Sequence, residues 1–392
     1  MRIRLPRPGP GPAAAGASAL AYAVVLPMLP ALAAQLSPSP AAPLTGRLMA
    51  AYSVAAVMSA PLWAHWCDRH ARTVLRIGLV GQAMALALAL LPPSVASLLL
   101  MRTLQGAFAG AVLPALWAWA SGEGLDEHQR SQRLADIARG GLVGGLFGPA
   151  VGGLLAGTTL AGPALAGMAV LVLGAVAAPH MPITADEGKP ASPARRGALA
   201  FWLGLGALAA AAMSVYEVGL TTRGRLALGL SPRDIGWMFT GCGLVMLLAQ
   251  TLVFRPGHDP VRAFAWVAPA FAATAVGLAV LTWRPSGWSL SMGVALTAAS
   301  GGILQPALAY WTARAAGTAT GATLGLRATV ATAGQAAGSV VGGYAFAPSA
   351  GGRAALAGTL AVLAGATWIS MRLNARLRAR HHLTNTPTHS RP

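Results

Sequence analysis

Along most of this chain apolar residues neither alternate nor recur at the spacing of a surface helix; they run on. Stretches of about 20 mostly apolar residues, each long enough to cross a bilayer's hydrocarbon core as a helix, follow one another almost from end to end. Twelve such runs can be delimited: 13–36, 45–66, 74–91, 94–120, 135–156, 162–178, 198–221, 235–254, 263–283, 288–312, 319–346 and 354–371. We refer to them as spans 1 to 12. The pattern predicts an all-α integral membrane protein.

The polar positions between the runs sharpen this picture. Arg2, Arg4 and Arg7, then Arg69, Arg72 and Arg76, then Arg130 and Arg133, then Lys189, Arg195 and Arg196, then Arg255 and Arg262, then Arg314, then the run from Arg372 to Arg380 fall in every second connection. Connections 37–44, 92–93 and 157–161 carry no basic residue. Cytoplasmic loops are enriched in Lys and Arg, so both termini are expected in the cytoplasm of a plasma (inner) membrane protein. The second half obeys less cleanly: Arg284 and Arg353 are single outer charges, and Arg223, Arg225 and Arg233 share one outer connection with Asp234.

Composition agrees with a membrane assignment. Only 10% of the 392 residues are charged and 55% are hydrophobic, with a mean hydropathy of +0.59, where soluble domains carry about 25% charged residues. A net charge of +18 would suit nucleic acid, but the charges lie between spans instead of forming one patch, so lipid and not nucleic acid is the expected partner. A basic start, an apolar core and Ala31-Leu32-Ala33 also resemble a cleavable secretory signal. The length of that run and its Pro27 and Pro30 favour a retained first span. The two cysteines, Cys67 and Cys242, indicate neither a disulfide framework nor a metal site, and no cofactor is expected.

One stretch carries more than hydrophobicity. In Gly141-Leu-Val-Gly144-Gly145-Leu-Phe-Gly148-Pro149-Ala-Val-Gly152-Gly153, glycines 144, 148 and 152 share one helix stripe, which lets another backbone approach closely. Pro149 removes one backbone hydrogen bond and predicts a bend near Gly145. The pattern returns at Gly334, Gly338, Gly342 and Gly343, each 190 residues later, with Ser339 in the place of Pro149. Pro114-Ala-Leu-Trp117-Ala-Trp119 returns as Pro306-Ala-Leu-Ala-Tyr310-Trp311 at an offset of 192. Two matches at nearly one offset predict two related halves: a six-span unit over 1–179, a linker over 180–197, a second six-span unit over 198–372 and a basic tail over 373–392, disordered after His382.

Three motifs resemble a known family. Asp68-Arg69 and Arg72, in a short charged turn after span 2, are similar to the Gly-x-Leu-x-Asp-Arg-x-Gly-Arg loop of the major facilitator superfamily, with Ala64, Trp66 and Ala71 departing from the pattern. Arg102-Thr-Leu-Gln105-Gly106 resembles that family's Arg-x-x-Gln-Gly. Gly144, Gly148, Pro149, Gly152 and Gly153 look like the helix-five signature of its drug/proton antiporters, Ala135 departing at the leading glycine. The resemblance covers essentially the whole chain. It implies twelve transmembrane helices in two pseudo-symmetric six-helix bundles, a substrate cavity between them, span 5 at the interface of the halves, and a gate role for Asp68, Arg69 and Arg72.

Ionisable groups inside spans are costly, so each is a functional candidate. Glu217 is the one acid within an apolar run, while Asp136 sits at a span's edge. Glu217 is expected to couple transport to protons; the alternative places it at the outer boundary, paired with Arg223 or Arg225. Arg102, Arg327 and Arg139 are the basic counterparts. Arg102 either joins the coupling site with Glu217 or snorkels to the headgroups. Tyr22, Tyr52, Gln105, Gln305, Tyr310 and Gln335 are candidate cavity residues. Trp117, Trp119 and Trp311 could stack on a flat substrate, but their position favours an interfacial aromatic belt.

These features point away from an enzyme, because no span holds a cluster at catalytic spacing, and away from a channel, because a whole six-span unit repeats once. The expected function is secondary active export of small hydrophobic or amphipathic compounds by a monomer, in exchange for protons. An exporter of a siderophore or another anionic metabolite, favoured by Arg223, Arg225 and Arg233, and an importer are the alternatives.

Overall fold

The structure is a computed structural model, and it describes residues 10–37, 41–120, 127–157, 159–178, 196–254, 264–283, 286–316, 321–347 and 349–384. The expected linker falls almost wholly outside them, and of Asp68 only the backbone is described. Ten helices are long and apolar enough to cross a membrane: Gly11–Leu36, Ala41–Cys67, Arg69–Leu90, Val95–Ala120, Gln132–Leu154, Gly197–Leu228, Pro232–Val253, Phe264–Thr282, Gly287–Ala316 and Ala350–Ala375. They are spans 1 to 5, 7 to 10 and 12. The shorter apolar helix Ala161–Ala177 is span 6. Gly321–Ala345 is span 11, long enough but diluted by Arg327, Gln335, threonines and glycines. The last helix continues to Thr384, past the expected start of disorder at His382.

Two of the breaks within spans lie beside prolines. The α-helix of span 1 ends at Ala23 and resumes at Leu29 after a 3-10 turn over Leu26–Met28, beside Pro27 and Pro30. Span 4 is interrupted between Ala109 and Val112, and Gly110 stands four residues before Pro114. In both, the ring displaces the carbonyl one turn earlier. Pro149, by contrast, lies within a helix that runs without interruption from Glu127 to Leu154. The reversal between spans 2 and 3 needs only one residue outside helical geometry, His70 at φ −138° and ψ 34°. That φ is open to any L-residue, so the loop is tight without the glycines that Ala64 and Ala71 replace.

Glycine determines which helices touch. Cβ atoms placed on Gly144, Gly148 and Gly152 of span 5 would run into span 1 at Gly16, at Leu20 and Ala23, and at Val24. On span 11, Gly334, Gly338 and Gly342 meet Ala207, Ala211 and Val215 of span 7 in the same way. The two stripes therefore build equivalent contacts inside the two halves, each with its own core. The first core gathers residues from Ala14 to Ala178 with Val218 from the other half, and the second gathers residues from Trp202 to Ala366 with Ala42 from the other half.

Between the halves, span 2 packs on span 11 and span 5 on span 8. A Cβ on Gly46 would lie 2.8 Å from the Cα of Gly343, and one on Gly236 would lie 3.2 Å from the Cα of Gly153. Gly46 and Gly236 are 190 residues apart in sequence, as are Gly153 and Gly343. The two crossings are thus copies of each other. Thr240 reinforces one of them by donating to the Leu146 carbonyl at 2.9 Å, and Arg47 reinforces the other by donating to the Tyr344 hydroxyl at 3.4 Å. Both lie at the ends of the spans remote from Arg69, Arg72, Arg130 and Arg133. We call that end the far face and the arginine-bearing end the basic face.

The aromatic belt is not where the sequence suggested. Trp119 and Trp311 are buried, each 8% exposed, with Arg133 over the ring of one and Trp202 stacked on the other at 5.4 Å. The tryptophans that face outward near helix ends are Trp66, Trp237, Trp266, Trp288 and Trp368. Their position suits the headgroup layer.

Candidate functional site

A cavity of about 670 Å³ lies between the halves. Its walls come from spans 1, 2, 4 and 5 of the first half and from span 11 of the second. Ala15, Ala60, Trp117 and Leu134, all near the basic ends of their spans, line it, whereas the glycine crossings close the far end. The break in span 4 is part of the wall, since Gly110, Val112, Leu113 and Pro114 all face the cavity.

At mid-depth the wall becomes polar. Arg102, fully buried, passes from span 4 between two rings, with its guanidinium carbon 4.6 Å from the centroid of Tyr52 and 5.2 Å from that of Tyr22. Its NH1 donates to Gln105 Oε1 at 2.6 Å and its Nε to the Leu48 carbonyl at 3.3 Å. Gln105 in turn donates to the Ala21 carbonyl at 2.8 Å, ahead of the break in span 1. Arg102 therefore does not snorkel; it ties spans 1, 2 and 4 together behind the cavity. Tyr22 and Tyr52, 4.6 Å apart between centroids, form the surface that the cavity meets.

The second half enters through Gln335, whose Nε2 donates to the Tyr22 hydroxyl at 3.1 Å across the boundary between halves. Arg327, two turns nearer the basic face on the same helix, also lines the cavity and donates from NH2 to the carbonyl and Oε1 of Gln305, at 2.9 and 3.0 Å. Gln305 itself lies in the wall of a smaller neighbouring pocket.

Glu217 sits on span 7 within electrostatic reach of Tyr22 and Cys242. The next residue, Val218, is buried in the core of the first half. Glu217 Oε2 is buried and has no hydrogen-bond partner among the described residues. The alternative, pairing with Arg223 or Arg225, is not found among the described residues: Arg225 NH1 donates to the Leu230 carbonyl at 3.2 Å, and Arg223 Nε is buried without a hydrogen-bond partner. The ion pair found among the described residues is Asp136 with Arg139, one turn apart on the same helix.

The structure thus brings Tyr22, Tyr52 and Gln335 into the cavity wall, sets Gln105 and Arg102 behind it, and leaves Tyr310 apart, its hydroxyl accepting from Arg314 at 3.3 Å. Arg69 is exposed and Arg72 half-buried at the His70 corner. Trp117, expected in the belt, lines the cavity instead. The glycine signature divides. Gly144, Gly148 and Gly152 face span 1, and Gly153 alone reaches across to span 8 at Pro232 and Arg233. Gly46 and Gly236, which complete the crossings, were missed in the sequence because each stands without a stripe around it, although their 190-residue spacing was there to be read.

Two six-helix bundles enclosing a central cavity define a polytopic carrier architecture. The chain belongs to the Major Facilitator Superfamily, whose profile matches residues 13–339, and it is therefore a multi-pass membrane protein of a transporter family. Among solved structures it is similar to the human organic anion transporter MFSD10 (TETRAN), at 19% identity and a TM-score of 0.68, covering 94% of this chain and 98% of that one. It is also similar to the nucleoside transporter NupG, at 13% identity and a TM-score of 0.66, with 94% and 100% covered. A bacterial homolog of the human lysosomal transporter Spinster, in an inward-facing and unoccupied conformation, aligns at 14% identity and a TM-score of 0.62, with 94% and 93% covered. At these identities the likeness is one of fold. No curated protein matches the sequence.

Proposed function

We propose that this protein is a proton-driven exporter of small hydrophobic or amphipathic compounds, working by alternating access as a monomer in a bacterial inner membrane. In this reading its termini and basic face are cytoplasmic, and residues 1–179 and 198–372 rock against each other. The observation that carries the reading is the pairing of a largely apolar cavity with Glu217, which lies within electrostatic reach of the cavity-lining Tyr22 and whose Oε2 is buried without a hydrogen-bond partner among the described residues.

The size of the cavity suits a drug-like molecule. Closure at the far face and a cavity that extends to the basic face correspond to a state that loads from the cytoplasm. Rocking would open the glycine crossings and expose the Glu217 region to the outside, where a proton could replace the departing compound. A carboxylate within hydrocarbon costs about 2.5–3.5 kcal/mol, so alternation between a protonated and a charged form gives the cycle its handle. Asp68, Arg69 and Arg72 would latch the basic face in the opposite state.

The test uses purified protein in liposomes of known orientation, loaded with a fluorescent amphipathic compound. An imposed inward proton gradient should drive the compound in the export direction. Movement in the import direction, or movement indifferent to the gradient, would overturn the reading.

A further inference from the structure

The cavity has a charge preference of its own. Arg327 is the charged side chain among its lining residues, and the other walls are mainly Ala, Val and Leu with a few hydroxyls and Gln335. Its NH2 donates to two neutral oxygens of Gln305, and no acidic side chain pairs with it among the described residues. Its Nε is buried and lacks a partner among the described residues. Arg102 cannot play this part, because Tyr22, Tyr52, Leu48 and Gln105 enclose it.

A guanidinium among apolar walls is costly unless an anion offsets it, and its planar fork matches an oxyanion. The same cavity offers a flat apolar surface: Trp117 lines it from span 4, with its indole against span 11 at Gly325, which is on a different face of that helix from Arg327. We infer that Arg327 and Trp117, in the wall of the same cavity, make it a subsite for amphipathic organic acids, with a carboxylate or sulfonate on Arg327 and an aromatic body reaching Trp117. Tyr22 and Gln335 offer neutral polar contacts to the remainder. The inference rests on the reading of this cavity as the place where the transported compound binds.

Full-length protein in lipid nanodiscs can be titrated calorimetrically with three probes of one shape: naphthalene-2-carboxylate, naphthalene-2-carboxamide and 2-naphthylmethylammonium, with protein-free nanodiscs as the blank. The carboxylate should bind ~10-fold or more tightly than the amide, as a desolvated charge-assisted hydrogen bond would give. Arg327→Gln should reduce that ratio to about 2 or less, and Arg327→Lys, which keeps the charge, should retain a preference above the Gln variant. Trp117→Ala should weaken the carboxylate and the amide alike. Equal binding of the three probes by the unsubstituted protein, tighter binding of the ammonium, or an undiminished preference in a monodisperse Arg327→Gln variant would each overturn the inference. The same probes in proton-driven liposomes separate the two ideas: an intact carboxylate preference with no movement of any probe would overturn the export reading and leave the subsite standing.

Discussion

Replacing Gly236 by Ala tests whether the two glycine crossings form a single closure. The added methyl carbon would lie 3.2 Å from Gly153 Cα and closer still to the Pro149 carbonyl oxygen. Both are backbone atoms, which a rotamer change cannot move. Carbon atoms prefer about 3.5–4.0 Å, so the methyl can be accommodated only by separating spans 5 and 8. Overpacking of this kind costs typically about 1–3 kcal/mol. If the penalty applies to the closed far face and vanishes when it opens, the balance shifts toward the opened state by about 5- to 150-fold.

The reporter belongs at the other crossing, so that it does not sense local distortion. Ala42, on span 2, is 1% exposed and packs in the core of the second half. A cysteine there is shielded while the face is closed. With Cys67 and Cys242, both buried, replaced by Ser, maleimide labelling of Ala42→Cys should be slow, and Gly236→Ala should accelerate it by the factor above. Gly46→Ala should accelerate it too, by direct action. Unchanged labelling in a well-folded Gly236→Ala protein would refute the reasoning, because the crossings would then open independently or not at all.

Three further outcomes are expected. Gly148→Leu should lower the yield of folded protein, since its Cβ already lies 2.7 Å from that of Ala23 inside one bundle, whereas Gly153→Leu should leave the yield near normal and impair transport; size-exclusion profiles and liposome flux separate the two. Glu217→Gln should abolish proton-driven efflux while passive exchange persists, and undiminished gradient-dependent efflux would remove Glu217 from the coupling role. External thiol labelling should reach cysteines placed at Ser39 and Thr158 and spare one at Lys189 in sealed cells; modification at Lys189 would reverse the assigned orientation.

The spans and the repeat were legible because hydropathy and glycine spacing are properties of one helix at a time. Even the proline breaks had a signal, as Pro27 and Pro114 each sit one turn after the interruption they cause. What could not be read were relations between helices distant in sequence. Arg102 looked free to snorkel because Tyr22 and Tyr52, which enclose it, belong to other spans. The bond from Gln335 to Tyr22 joins residues 313 apart, and no periodicity announces it. Trp117 and Trp119, two positions apart, must face opposite sides of their helix, but which of them meets the cavity and which the core depends on how that helix is rotated against spans 1 and 5.

The copied crossings also bear on how such a closure can arise. A six-span unit carrying one glycine at the place of Gly46 and another at the place of Gly153 holds only half of each contact. Set against a duplicate of itself about a two-fold axis, the same pair makes both contacts at once. Two residues in an ancestral gene would then have sealed an entire face. After fusion into one chain, Gly46, Gly153, Gly236 and Gly343 would each still carry half of a contact, so that losing any one glycine would unbalance a seal built symmetric.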